Sequence, residues 1–591
     1  MTRHELTLRA GGKAGDGIAS LGDTLARTCS RAGLHVGAYN HYQSVIRGGH
    51  VWYHVRARAD EVLSAGDGID VLLALDQLTI DTHARWMNPG GVILFDPDKT
   101  KVAPEQIAPT TATPLGIPLA ALAKQHASDP IMRNTVGAGA ALYLSGLPKE
   151  LTEEMLRQAF KRKGDEVVAS NINTLNAGYD FAKEHGAPLN LELATSRKKR
   201  LLMTGNDAIA LGAVASGCRF AAQYPMTPAS PIMHWIASHA SAYNVIFKQA
   251  EDELAAINLA IGASYAGLPS MTATSGGGFS LMVEAFGQAG MLEVPLVVVE
   301  VQRCGPSTGL PTKTEQADLD MVKGASQGEF PRAIIAPLNI ADCYTAIHEA
   351  FTIAERFQVP VCVLSDLYLG EHWETVDPEA IDLQLPLDRS TTILSQIPAS
   401  ERPYLRYKFT PDGVSPRVVP GVDGGQHVAS TDEHDEDSTL IGDVLAGLPQ
   451  AIDVRVRMME KRMRKLVGIA KVFKQPTLWA PPGVDAGHAK LTVVCWGSTQ
   501  RVVREAVTDL CHHGASIATL ELRNLLPFPA ATVSDLLSKA HKTMIIEGNY
   551  TGQVERLIRE QTGLSIPHHY RKYDGEPFYP SDVRAAIKEV L

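Results

Sequence analysis

The chain has 591 residues and a mass of 63.7 kDa, room for three or four domains of ordinary size. Apolar residues make up 45% and charged residues 20%, the balance of a globular protein, and a net charge of −10 with a pI near 6.1 speaks against nucleic-acid binding. No apolar run approaches the ~18 residues of a membrane-spanning helix, and the N-terminus lacks a signal peptide's apolar core, so a cytoplasmic protein is expected.

Residues 5–185 read as one α/β domain. A strand from Glu5 to Arg9 enters Gly11-Gly12-Lys13-Ala14-Gly15-Asp16-Gly17, and a helix follows from Ile18 to Arg31. Strands at Leu34 to Ala38, Val51 to Arg56, Val71 to Ala74 and Val92 to Phe95 predict βα alternation around a mainly parallel sheet. The glycine stretch is no dinucleotide fingerprint, because Ser20 stands where a third glycine is needed, and no P-loop, because Ile18 follows Gly17. It makes either a tight turn or a phosphate contact through the amides of the helix start.

A polar link around Ser196 to Arg200 opens a second α/β domain that runs to about Leu369. Its strands are Phe220 to Gln223, Met271 to Thr274, Leu296 to Val301, Ala333 to Ala336 and Val359 to Leu364, apolar runs suited to a parallel sheet covered on both faces. Residues 375–490 read as irregular, with an acidic stretch Ser430 to Asp437 that reads as a solvated loop or, less simply, a metal site. A helix carrying Arg455, Arg457, Lys461, Arg462, Arg464 and Lys465 should pack with its charged face wet. A third α/β unit follows, with strands Leu491 to Trp496, Ile517 to Leu520 and Met544 to Glu547. The seven cysteines form no C-x-x-C pair, which argues against a zinc ribbon or a cluster-binding ferredoxin segment. They read as small core residues, with Cys304 set apart by its place beside Arg303.

Three segments carry candidate chemistry. Tyr224-Pro225-Met226-Thr227-Pro228-Ala229-Ser230 follows a strand, and its prolines hold Thr227 at the strand's carboxyl end. Glu251-Asp252-Glu253 opens a helix whose Leu254, Ile257 and Ile261 predict an apolar face, with Glu253 at its edge, where partial desolvation would raise its proton affinity. The helix-dipole role of an N-terminal acid suits Glu253, Glu251 or Asp252 equally. Arg303 lies just past a strand, where open parallel sheets place ligands, and a guanidinium there suits a carboxylate. Each of Thr227 and Arg303 also has a plain alternative, a turn-ordering hydroxyl and a surface ion pair.

Together these segments resemble the 2-oxoacid:ferredoxin oxidoreductases, in the form that fuses a γ domain ahead of the α part. Tyr224 to Ser230 is similar to Y-P-I-T-P-x-S, with Met226 as a departure. Glu253 to Ala263, Gly267 and Thr272 to Gly278 resemble the next block, and Arg303 to Gly309 resembles R-x-G-P-S-T-G. Gln43 to His50, Arg406-Tyr407, Asp412 to Arg417, Glu433-His434-Asp435, Leu526 to Pro529 and Glu547 to Gln553 extend the likeness over nearly the whole chain. It implies three α/β domains with mainly parallel sheets: a γ domain at 1–190, a thiamine-pyrimidine-binding domain at 200–385, an irregular link at 386–485 and a transketolase C-terminal-like domain at 486–591.

The resemblance also implies roles. Glu253, with Pro228, would contact the pyrimidine of thiamine diphosphate and tune its amino group. Thr227 and Arg303 would bind the 2-oxoacid, and Ser44, Arg47 and His50 would approach the substrate or coenzyme A. The family's metal motif, G-D-G with a later Asn, has no counterpart around Gly15-Asp16-Gly17 or Gly66-Asp67-Gly68. So no metal is expected on this chain, and a separate β subunit would carry the diphosphate-Mg²⁺ site and a [4Fe–4S] cluster in a (γα-β)₂ assembly served by ferredoxin. The 2-oxoglutarate branch is the nearest in motif, with Arg47 or His50 as the cation for the second carboxylate. A different oxoacid, or a non-catalytic assembly subunit, are the other readings.

Overall fold

The strand at the N-terminus runs further than its sequence suggests. It spans Glu5–Ala14, so Gly11 and Gly12 are sheet residues and the turn proper is Gly15 to Gly17, with Gly17 in the left-handed region before the Ile18–Arg31 helix. These elements come from a computed structural model that describes residues 3–44, 48–108, 110–127, 129–193, 196, 198–385, 393–441 and 448–591. The chain divides into two units, Met1–Thr204 with Glu371–Ala380 and Tyr579–Asp582, and Gly205–Gly370 with Ile381–Phe578 and Val583–Leu591.

The first unit is built on an eight-stranded sheet. Its order is Thr113–Gly116, Met87–Phe95, Ile69–Ala74, Glu5–Ala14, Gly48–Arg58, His35–His41, Trp373–Val376 and Leu201–Thr204. The first four strands are parallel; the rest pair antiparallel. The expected βα alternation is interrupted where Gly48–Arg58 follows His35–His41 as the next strand, and it resumes from Ile69–Ala74 and the Gln77–His83 helix onward. Leu6, Leu8, Val55, Val71, Leu73 and Leu94 centre the core against the Arg133–Ser145 helix.

The second unit holds two large sheets and a small one that pairs Ile393–Leu394 with Arg417–Val418. The seven-stranded one runs Asn524–Leu526, Ala333–Ile335, Pro360–Asp366, Leu296–Gln302, Ser270–Thr274, Phe220–Gln223 and Ile246–Gln249, parallel except for its first strand. The five-stranded one is parallel apart from Leu478–Trp479. Leu296 to Gln302 is buried throughout, as a strand covered on both faces should be. One apolar core, with Phe279, Phe286, Val298, Leu364, Trp496 and Leu520, runs through both large sheets.

Two expectations change here. The Pro449–Val472 helix does not leave all its cations wet: Lys461, Arg462 and Lys465 are buried. Lys461 and Lys465 each reach Glu293 at 2.5 Å, and Arg462 bonds Glu433. The acidic stretch is likewise only partly solvated, since Glu433 accepts from Arg455 and Arg462 and His434 is buried against Tyr407. Glu433 alone is shown bonding the helix, Glu436 accepts from the Phe409 amide, and no metal-binding group is found among the described residues.

Candidate active site

Parallel strands deliver their carboxyl ends to one edge of the seven-stranded sheet, and the three motif segments meet there. Phe220–Gln223 leads into the Tyr224 to Ser230 turn, and Leu296–Gln302 leads into Arg303. Arg303 Nη1 donates to the Thr227 carbonyl at 2.7 Å, so the two residues expected to bind a 2-oxoacid are brought together. Both are half-buried. The clasp runs through the Thr227 backbone, which leaves its hydroxyl for another partner.

The turn has supports that sequence reasoning missed. Asn206, fully buried, donates to the carbonyl of Pro228 at 2.9 Å, and Gln223 donates to that of Ala229 at 3.0 Å. The amides of Ala229 and Ser230 both bond the Met226 carbonyl. Pro228 itself is buried. Asn206 lies in the Gly205–Ala215 helix, and nothing in its local sequence marks it as a brace for residue 228.

On the Glu253–Tyr265 helix the buried face is Glu253, Ala256, Ile257, Ala260, Ile261 and Ser264. Leu254 is 48% exposed, so the face is turned by one residue from the expected one and Glu253 sits on it, not at its edge. Asp252 is the helix cap, its carboxylate accepting from the Ala255 amide at 2.7 Å. That settles the choice among the three acids: Asp252 serves the helix end, Glu251 is exposed, and Glu253 is only 4% exposed. Glu253 Oε1 has no hydrogen-bond partner among the described residues. Gly278 makes room for it, since a Cβ there would meet Oε1 at 2.6 Å. An orphaned buried carboxylate oxygen in a glycine cradle fits a ring nitrogen of a bound cofactor.

Cys304 is buried in the loop, where desolvation first and Glu315 second push its thiol up to about 12, so it is not a reactive thiolate. Beyond it, Gly305 to Leu310 stand exposed.

The remaining candidates belong to the first unit. Ser44 is exposed, and Arg47 lies outside the described residues. His50 opens the Gly48–Arg58 strand, with Nε2 2.9 Å from Nε2 of His83. Burial lowers its proton affinity, which makes His50 an uncharged ring at neutral pH and leaves Arg47 as the candidate cation of that stretch. Asp16 and Asp67, from the two Gly-Asp-Gly sequences, accept from Arg133 and from the Ser581 amide.

Comparison with known proteins gives the family. Residues 211–441 match the family model described as pyruvate flavodoxin/ferredoxin oxidoreductase, thiamine diphosphate-binding. Residues 7–181 match pyruvate ferredoxin/flavodoxin oxidoreductase, and 489–583 match pyruvate:ferredoxin oxidoreductase core domain II. Subunit alpha of 2-oxoacid:ferredoxin oxidoreductase 2 from Aeropyrum pernix is 30% identical over 99% of this chain and 98% of its own. The 2-oxoglutarate oxidoreductase subunit KorA of Mycobacterium tuberculosis is also 30% identical, over 99% and 91%. Among solved structures, the 2-oxoglutarate:ferredoxin oxidoreductase of Magnetococcus marinus, with 2-oxoglutarate, coenzyme A and succinyl-CoA bound, superposes with a TM-score of 0.89 at 32% identity over 99% of both chains. With relatives of this identity matched end to end, the chain belongs to the 2-oxoacid:ferredoxin oxidoreductases, an oxidoreductase family.

Proposed function

We propose that this chain is the γα subunit of a thiamine-diphosphate-dependent 2-oxoglutarate:ferredoxin oxidoreductase. It would convert 2-oxoglutarate, coenzyme A and oxidised ferredoxin to succinyl-CoA, CO₂ and reduced ferredoxin, reversibly. The observation that carries this reading is the buried Glu253, with Oε1 unpartnered, at the same sheet edge as the Thr227–Arg303 clasp. Full-length likeness to the Magnetococcus marinus enzyme supports 2-oxoglutarate as the substrate.

Glu253 and Pro228 would hold the pyrimidine side of the cofactor. Thiamine diphosphate, when bound, supplies a carbon nucleophile for the 2-oxo carbon and a sink for the electron pair left as CO₂ departs. The chain's own part is to hold a proton at Glu253 Oε1, in surroundings that exclude water. Arg303 binds the substrate carboxylate. A guanidinium has five N–H donors, so its bond to the Thr227 carbonyl does not exhaust it. That bond fixes the fork before substrate arrives, which lowers the cost of ordering it. The Thr227 hydroxyl donates to the same substrate. Ser44 and His50 offer uncharged donors and Arg47 a cation for coenzyme A or the second carboxylate. The diphosphate-Mg²⁺ site and the [4Fe–4S] cluster belong to a separate β subunit of a (γα-β)₂ enzyme.

The test is turnover of the co-purified complex with 2-oxoglutarate, coenzyme A and a viologen acceptor. Glu253→Gln should lower kcat by about a hundred- to ten-thousandfold, the range of a lost acid–base group, while the subunits still co-elute. Unchanged turnover would refute the assignment. Arg47→Ala should weaken use of 2-oxoglutarate more than use of pyruvate. Equal losses would remove Arg47 from substrate choice.

A further inference from the structure

The Leu296–Gln302 strand carries an acid that the mechanism above does not use. Glu300 is fully buried, and neither of its oxygens meets an N–H or O–H donor among the described residues. The group set against it is another acid, Asp318. Two carboxyl groups form a hydrogen bond only when one of them carries a proton. Burial, and then the charge of Asp318, push Glu300 well above the usual carboxyl range. Burial also raises Asp318, to about 6. The charged groups facing the pair are acids, Asp366 on the adjoining strand and Glu315 ahead of Asp318, and the buried Cys362 thiol beside them is uncharged. Arg303 is the cation that opposes them.

The pair's position gives it a role. The Asp318 amide donates to Gln302 Oε1 at 3.0 Å, which ties it to the strand of Glu300. Its carboxylate lies against Gly276, where a Cβ would collide with it. Two residues further on, Gly278 lies against Glu253 Oε1. The first turn of the Gly276–Met291 helix, Gly276 to Gly278, is thus wedged between the acid pair and the carboxylate proposed to face the cofactor.

We propose that Glu300 and Asp318 share one proton and act as a positioning pair, holding the Gly276 to Gly278 turn against Glu253. The positioning half rests on the assignment of Glu253 to the cofactor pyrimidine. Removing the proton leaves two buried like charges in contact, which drives Asp318, and the turn it abuts, away from Glu300. Unfolded, both carboxyls ionise near pH 4, so the folded chain keeps a proton that the unfolded chain gives up. Stability attached to the pair therefore falls as pH rises from about 4 through the pair's folded pKa.

Glu300→Gln separates the possibilities, because its amide gives Asp318 a permanent donor. Two readings are taken on the assembled enzyme: melting temperature without added thiamine diphosphate, and kcat with it, both from about pH 6 to 10. The wild type should lose melting temperature as pH rises, and Glu300→Gln should flatten that slope. The alkaline limb of kcat should move up by about one pH unit or disappear in Glu300→Gln. Glu300→Leu, with no donor, should lose kcat at least about tenfold with KM within about twofold. Superposed melting curves for wild type and Glu300→Gln would overturn the shared proton. A flattened slope with an unmoved kcat limb would overturn the positioning role. Because melting is read without the cofactor, failure of the Glu253 assignment would leave the slope in place.

Discussion

Asn206 shows how a residue proposed to bind substrate depends on a buried side chain behind it. Its amide holds the carbonyl of Pro228, one residue from Thr227, in a fully buried position. Asn206→Ala strips a buried carbonyl of its donor, which costs about 1–3 kcal/mol. The turn should loosen, so KM for the 2-oxoacid should rise while Glu253 chemistry, read as kcat at saturation, stays within about threefold. An unaltered KM would show that the prolines alone hold Thr227. The same residues show what the sequence discloses at this scale. Thr227 and Arg303 were legible as candidates because prolines after a strand and a guanidinium at a strand's end are local signals. Asn206 was not, since its partner is 22 residues away and only the fold joins them. Glu253 was legible as a candidate, but its burial was misjudged: apolar spacing chose Leu254, which is exposed. What decides that helix's inner face is its small residues, Ala256 and Ala260, over which the neighbouring helix closes.

At the scale of elements, strands of apolar residues were legible almost to the residue, as Phe220–Gln223 and Leu491–Trp496 show, while the Pro449–Val472 helix was legible as a helix but not in its packing. Charge along a helix reads as a wet face unless a distant acid awaits it, and Glu293, ending the turn after another helix, is such an acid. Burial pulls Lys461 down to about 7. Burial would raise Glu293, but Lys461, Lys465 and Arg406 overcome it and hold that carboxyl below its usual range. Both partners of one ion pair are thus lowered. We take Glu293 as ionised, with two ammonium groups competing for one carboxylate, so one positive charge is in surplus. The two ends of the cluster should then respond unequally. Glu293→Gln leaves two buried cations without an anion and should cost about 3–5 kcal/mol. Lys461→Met removes the surplus, keeps the Lys465 pair and should cost under about 1 kcal/mol. Urea midpoints of the variants check this, and equal losses would mean that Lys461 is neutral in the wild type.

At the scale of the whole molecule, the proposed function makes the site one side of something larger. Leu254, next to the buried Glu253, is 48% exposed, and Tyr224 of the first motif segment and Leu281 of the Gly276–Met291 helix also stand open. Single exposed leucines need no explanation. These adjoin a site whose chain lacks the family's metal motif, which supports the proposal that a separate β subunit supplies the rest of the thiamine diphosphate site. Burying a leucine is worth about 1.5–3 kcal/mol, and each 1.4 kcal/mol is a factor of ten in affinity. Leu254→Asp should therefore weaken assembly with the β subunit by about tenfold or more. Turnover per assembled complex should be kept, because the aspartate replaces a contact and not Glu253. Titrating the variant with excess β subunit should restore activity. A variant that assembles with wild-type affinity, or one that stays inactive when fully assembled, would place the β subunit elsewhere on this chain.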